Sequence, residues 1–178
     1  LAQDHSVFTY HSSLPLAENA STFGEMLLID KLLSQEEDPA VRRDILFKQV
    51  DDAYATIMRQ SFFALFEREA HSMIKDGAII DELSEMYMEN LKTQFGKAVS
   101  ISDEFRWEWV SIPHFYHTPF YVYAYAFGDG LVNALYAVYA EGDADFQSKY
   151  FDMLKAGGTK HHSQLLAPFG LDATDPAF

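Results

Sequence analysis

The sequence predicts an all-α fold. Three observations carry the prediction. Apolar residues recur every three to four positions along most of the chain, helix start and stop signals separate those runs, and no segment alternates apolar and polar residues as a half-buried strand does. The 178 residues are one domain's worth of chain, and 48% of them are hydrophobic. That is enough apolar material to close a core and to exclude global disorder. No internal repeat or low-complexity stretch interrupts the pattern.

The first element begins near Pro15. Behind Ser12 and Ser13, it sits at a first-turn position, and LAENASTFGEMLLIDKLL runs helically to about Leu33. Asp38-Pro39 is a cap followed by a first-turn proline. Val41, Ile45, Val50, Tyr54, Ile57, Met58, Phe62, Leu65, Phe66, Met73 and Ile74 then keep helical spacing until Gly77, which predicts an unusually long helix kinked or broken once. Asp81 caps a third helix (Leu83, Met86, Tyr87, Leu91) that stops at Gly96. Asp103 opens a short helix through Trp107 to Trp109. Pro113 to Pro119 predicts a loop or broken turn, and Pro119 to Tyr139 a tyrosine-lined helix. The stretch from Pro119 to Ala140 approaches membrane-spanning length, but a carboxylate at Asp129, near its middle, would cost roughly 3 kcal/mol or more in lipid. No Lys or Arg flanks it closely, so it reads as a buried core helix. Asp143 or Asp145 opens a helix to about Lys155, stopped by Gly157-Gly158, and His161 to Phe169 forms a last short helix before Gly170. The chain starts at Leu1 with no basic-then-apolar leader, and Asp175-Pro176 is a start signal next to its end. Both ends are therefore expected to be cuts through a larger domain.

Composition narrows the function. With 27 acidic against 13 basic residues, the net charge is −14. Such a chain repels phosphate backbones and anionic lipid, which argues against nucleic-acid and membrane-surface roles. With no cysteine, disulfides, Cys-ligated zinc, iron–sulfur clusters and thiol nucleophiles are excluded within these residues.

Two constellations could carry chemistry. Glu18 and Glu25 lie seven apart, two turns along one helix face, with Thr22 between them and the small residues Ala20, Ser21 and Gly24 alongside. They read either as a solvated stripe or as a metal or acid–base face that a second helix can approach closely. The second is IPHFYHTPFYVYAY. His114 and His117 are spaced to ligate a metal if that segment is helical, and Tyr116, Tyr121, Tyr123 and Tyr125 crowd beside them. On a helix Tyr121 and Tyr125 share a face and Tyr123 points away. These groups read either as an aromatic core with satisfied hydroxyls or as donors to a developing oxyanion. His161-His162 reads as a surface pair, and His71, after Glu67 and Glu69, lacks the Glu-x-x-His spacing of di-iron bundles. No HExxH, GxSxG, Walker or GxGxxG motif occurs. Taken strictly alone, the residues hold no complete active site.

The stretches LPLAENASTFGEMLL, IPHFYHTPFYVYAYAFGDGLVNALY and LKAGGTKHHSQLLAPFGLD, in that order, resemble the C-terminal part of oligoendopeptidase F, of the thimet-oligopeptidase-like zinc metallopeptidases. The resemblance covers essentially the whole chain. It implies a zinc site built on an HExxH helix and completed by a glutamate from a later helix. Glu18, in Ala17-Glu18, matches that third ligand, and Glu25 matches a further acidic position behind it. His114 corresponds to the family's hydrogen-bond donor to substrate, Tyr125 to its oxyanion donor, and Tyr116 and Tyr123 to neighbouring substrate-binding tyrosines. HExxH would lie just before Leu1, since LAQDHSVF resembles the family's segment directly after that motif. The expectation is therefore an all-α piece, residues 1–178, of a zincin-like catalytic domain without the HExxH helix or the N-terminal lobe. The piece is inactive alone and holds zinc weakly or not at all. The parent would be a cytoplasmic zinc endopeptidase acting on short peptides. The alternative is a non-catalytic helical interaction module, for which the missing HExxH speaks.

Overall fold

The computed structural model describes residues 5–12 and 14–175, and every regular element among them is helical. The all-α expectation holds. Asp175-Pro176 is cut by the limit of the described residues, so the start signal there lies outside them.

The first helix is broken where the sequence predicts continuity. A single turn, α1 (Leu14–Ala17), precedes α2 (Asn19–Gln35), with Glu18 between them as the cap residue of α2. Glu18 keeps right-handed dihedrals, φ −90° and ψ −1°, and its carbonyl accepts the Thr22 N–H at 3.1 Å, the first bond of α2. Asp38 caps as expected, its Oδ1 accepting the Ala40 N–H at 2.8 Å. Arg42 ties the corner by donating to the carbonyls of Leu33 and Glu36. The long helix is α3 (Pro39–Ala53), a π-helical turn at Tyr54–Arg59, and α4 (Gln60–Lys75). The π-turn is the single irregularity that the sequence anticipates in this helix. None of α3's residues is buried; of the apolar series expected there, Val41 and Val50 are exposed and Ile45 is half-buried.

α5 (Ile80–Phe95) starts two residues earlier than the Asp81 cap predicts. Its cap comes from the Glu82 carboxylate, which accepts the Ile79 N–H at 2.9 Å; Asp81 sits in the first turn instead. Gly96 ends it at φ 56°. A 3₁₀ helix, Asp103–Ser111, then leads to α6 (His114–His117), one helical turn where the two prolines predict a loop or a broken turn. α7 (Tyr123–Ala140), α8 (Phe146–Ala156), α9 (His162–Leu166) and a 3₁₀ turn at Ala167–Phe169 complete the chain. No helix among the described residues is long and apolar enough to cross a membrane.

The chain divides into two units, Leu1–Gln49 with Phe127–Phe178, and Val50–Ala126. The core of the first gathers Phe23 of α2, Leu131, Val132 and Leu135 of α7, Phe146, Tyr150 and Met153 of α8, and Leu165, Leu166 and Phe169. Phe23 lies 4.7 Å from the Tyr150 ring and 5.5 Å from that of Phe146. The Tyr150 hydroxyl is pushed up to about 12 by burial. It donates at 2.8 Å to Oδ1 of Asn19, a fully buried side chain that starts α2. Gly157-Gly158 does more than stop α8. The Gly158 N–H donates to the Thr9 carbonyl at 2.9 Å, and a Cβ on Gly158 would run into the His11 carbonyl, so the glycines seat residues 5–12.

The second unit packs Phe63, Phe66 and Ala70 of α4 against Leu83, Tyr87 and Leu91 of α5 and Val122. Tyr87, fully buried, stacks edge-on against Phe66 at 4.8 Å and donates to Glu108 Oε2 at 2.7 Å. Burial first, then that bond to Glu108, raises its phenol well above the usual value. Glu108 also pairs with Arg59 at 2.5 Å, and Trp109 donates its indole N–H to Ser84 at 3.2 Å. These ties hold the 3₁₀ helix that leads into α6.

Candidate active site

α6 is anchored by Phe115, whose ring lies 5.8 Å from that of Phe63 and 5.5 Å from that of Phe66. With Phe115 half-buried against that core, its neighbour His114 faces Tyr125 of α7. The two residues assigned to the same chemistry meet there. His114 Nε2 and the Tyr125 hydroxyl are hydrogen-bonded at 3.1 Å. Tyr121 completes the arrangement, its ring stacked on His114 at 5.6 Å and edge-on to Tyr125 at 5.1 Å. The shared face of Tyr121 and Tyr125 is thus present, although Tyr121 lies just ahead of α7 and not inside it. All three rings are partly exposed. An imidazole and a phenol in contact, reachable from solvent, offer two polar hydrogens to one incoming oxygen.

Tyr116 and Tyr123 are not part of this cluster. Each is about half exposed and makes no ring contact among the described residues. Partial burial raises the Tyr116 phenol. His117 stays exposed at the other end of α6.

Glu18 and Glu25, in the first unit, are both exposed. The Ser21 hydroxyl lies 2.8 Å from the Glu18 carbonyl, its closer acceptor, and 3.3 Å from Glu18 Oε2. Nothing among the described residues lies within 4 Å of a Cβ built on Gly24, so there is open space beside it. An exposed carboxylate at a helix start fits zinc as one oxygen ligand. No group of three His, Cys, Asp or Glu side chains among the described residues is placed to hold a metal ion. The donor set here fits one contributor to a site.

Two acidic residues noted in the sequence, Asp129 and Glu67, have no part in the candidate site predicted from it. Asp129 of α7 accepts at 3.1 Å from the Asn133 amide. Burial raises its carboxyl, the Asn133 bond lowers it, and the negative charge of Glu25 raises it further. Its Asp-x-x-x-Asn spacing was the available signal. Glu67 of α4 is 2% exposed and accepts the Phe120 N–H at 2.7 Å. Its four-residue spacing to His71 was visible, but its partner was not.

Comparison with known proteins extends the resemblance. The chain is 38% identical to an oligoendopeptidase F homologue of Borreliella burgdorferi over 94% of its own length and 29% of that protein's. It is 34% identical to the oligopeptidase PepF of Bacillus subtilis, covering 97% of this chain and 28% of the relative. The crystal structure of oligoendopeptidase-F from Enterococcus faecium superposes with a TM-score of 0.81 at 33% identity, over 93% of this chain and 32% of that one. The chain thus spans under a third of the relatives it matches. The model of peptidase family M3 matches residues 1–178 without remainder, and on that match the chain belongs to peptidase family M3.

Proposed function

We propose that these residues form part of the catalytic domain of a zinc metalloendopeptidase that cuts internal bonds of short peptides. The observation that carries the reading is the His114–Tyr125 hydrogen bond on a partly exposed face, in a chain of peptidase family M3. Glu18 is read as one zinc ligand, with Glu25 behind it. The chemistry a bound zinc supplies is Lewis acidity toward water and the peptide carbonyl.

His114 and Tyr125 have the complementary task. A tetrahedral intermediate concentrates negative charge on the former carbonyl oxygen. An imidazole N–H and a phenol O–H aimed at that oxygen stabilise it more than they stabilise the planar carbonyl, and only that difference accelerates the reaction. In the free protein the two groups satisfy each other. Substrate entry exchanges their mutual bond for bonds to the peptide, so neither polar group is left without a partner. Tyr121 keeps the imidazole ring oriented by stacking on it. Tyr116 and Tyr123, exposed outside the cluster, are read as contacts to the peptide flanking the scissile bond. Peptide substrates are the partners of this reading, and cytoplasmic placement belongs to it as well.

The test uses the whole protein and a quenched peptide. Hydrolysis should be abolished by a chelator and restored by zinc. Glu18→Gln, which keeps shape and removes the charged ligand, should lose most bound zinc and most turnover while the melting temperature of the zinc-free protein stays put. Full metal content with full turnover in that variant would return Glu18 to the role of a solvated surface residue.

A further inference from the structure

One buried carboxylate has no role in the proposed reaction. Glu67 sits on α4 with only 2% of its surface exposed. A carboxylate is kept there only where donors offset its lost hydration. Its Oε1 accepts the backbone N–H of Phe120 at 2.7 Å.

Phe120 is the only non-glycine residue with positive φ among those described, at 61°. A bulky aromatic residue in that region is strained, and such strain persists only where the surroundings over-determine it. A second grip comes from the same helix face. His71, one turn beyond Glu67, lays its ring against that of Phe120, centroids 4.6 Å apart at 35°. Thus α4 holds Phe120 by its backbone through Glu67 and by its side chain through His71.

Phe120 lies six residues after His114 and five before Tyr125. The Tyr121 N–H returns to the Thr118 carbonyl at 3.2 Å, and Val122 is then buried in the core. The chain therefore reverses at Phe120, and that reversal brings His114 Nε2 within 3.1 Å of the Tyr125 hydroxyl. We infer that Glu67 is a positioning residue: by locking Phe120 in its left-handed conformation, it sets the spacing of His114 and Tyr125. The inference rests on the role proposed for that pair.

Three substitutions in the whole protein separate the possibilities. Glu67→Gln keeps an oxygen acceptor of the same reach, Glu67→Asp withdraws it by one methylene, and Glu67→Met removes it. Misplaced donors cost rate out of proportion to the displacement, so Glu67→Met and Glu67→Asp should each lose about tenfold or more in kcat. KM and zinc content should change little. Hydrogen exchange at the Phe120 amide should accelerate in both variants, and Glu67→Gln should stay close to the parent in every readout. If Glu67→Met does not fold, Glu67→Asp carries the decision. Undiminished kcat with accelerated exchange would make Glu67 a turn anchor only and overturn the inference, as would equal losses in Glu67→Gln and Glu67→Met. His114→Ala is measured beside them. If it retains full kcat, the reading of the pair itself fails; if it is slow while Glu67→Met and Glu67→Asp are fast, the inference alone fails.

Discussion

Tyr125→Phe offers the sharpest perturbation of the candidate site, because it deletes one oxygen and leaves a ring of the same shape. That ring meets Tyr121 edge-on at 5.1 Å and His114 at 5.7 Å, and both contacts survive in phenylalanine. The lost bond to His114 Nε2, 3.1 Å long, is partly exposed, so water replaces much of it. The stability cost should fall near the low end of about 0.5–1.5 kcal/mol. Against a typical stability of about 5–15 kcal/mol, that leaves the protein almost wholly folded at 25 °C. Loss of one oxyanion donor is far larger in rate, about 10²–10³ in kcat, or roughly 2.7–4 kcal/mol. The two effects therefore separate cleanly. A full kinetic curve on a quenched peptide, with a melting curve beside it, should show kcat reduced by that factor, KM little changed and the melting temperature lowered by a few degrees at most. Tyr121→Phe is the control: its ring stacks on His114, no hydrogen bond of its hydroxyl is present among the described residues, and it should lose less. Near-normal kcat in Tyr125→Phe, with loss in Tyr116→Phe or Tyr123→Phe, would move the donor to another tyrosine. If all of these variants work normally, the cluster is only an aromatic core.

The remaining acidic groups yield two further outcomes. Residues 1–178 alone should show no chelator-sensitive hydrolysis of a quenched peptide, because a single carboxylate ligand holds zinc weakly; measurable zinc-dependent turnover would refute this. Burial first, reinforced by the charge of Glu25 against the opposing Asn133 bond, raises the Asp129 carboxyl in the folded state. A carboxyl so raised contributes stability that is full below its unfolded value near about 4 and is lost as pH rises through its folded value. Asp129→Asn, which can still accept from Asn133, should therefore raise the melting temperature of the whole protein at pH 7 and lose that advantage at acid pH. A gain independent of pH would show that charge is not the cause.

Much of the fold was legible because it is set locally. Gly96, Gly157 and Gly170 stop helices in the sequence and do so in the structure, with φ of 56°, 51° and 72°, since only a residue without Cβ takes those values at little cost. The meeting of Tyr121 and Tyr125 was anticipated from helical spacing, but Tyr121 precedes α7 and its ring reaches Tyr125 from outside the helix. The α3 face misled. Its apolar spacing is genuine, yet Val41 and Val50 are exposed and Ile45 only half-buried; periodicity reports that a face is apolar and not what covers it. Of the loop or broken turn expected between Pro113 and Pro119, the turn is what forms at His114–His117: Pro113 is tolerated at a helix start, and Phe115 gains core contacts by closing the turn.

The break at Glu18 and the strain at Phe120 were illegible for a deeper reason. Neither residue type announces its conformation: a glutamate usually continues a helix, and a phenylalanine almost always avoids positive φ. Each is set by partners distant in sequence. Phe120 is held by Glu67, 53 positions away. Asn19, the residue after Glu18, is held by Tyr150, 131 positions away. Both long-range bonds end next to a residue of the candidate site, and that has a physical basis. A local motif specifies a conformation the chain already prefers, whereas presenting a side chain against local preference requires an outside tie. Positions where sequence expectation fails and a buried polar partner explains the failure are therefore where the groups that hold reactive side chains in place should be sought, and in this chain the tie at Phe120 is the one whose removal can be measured directly as lost turnover.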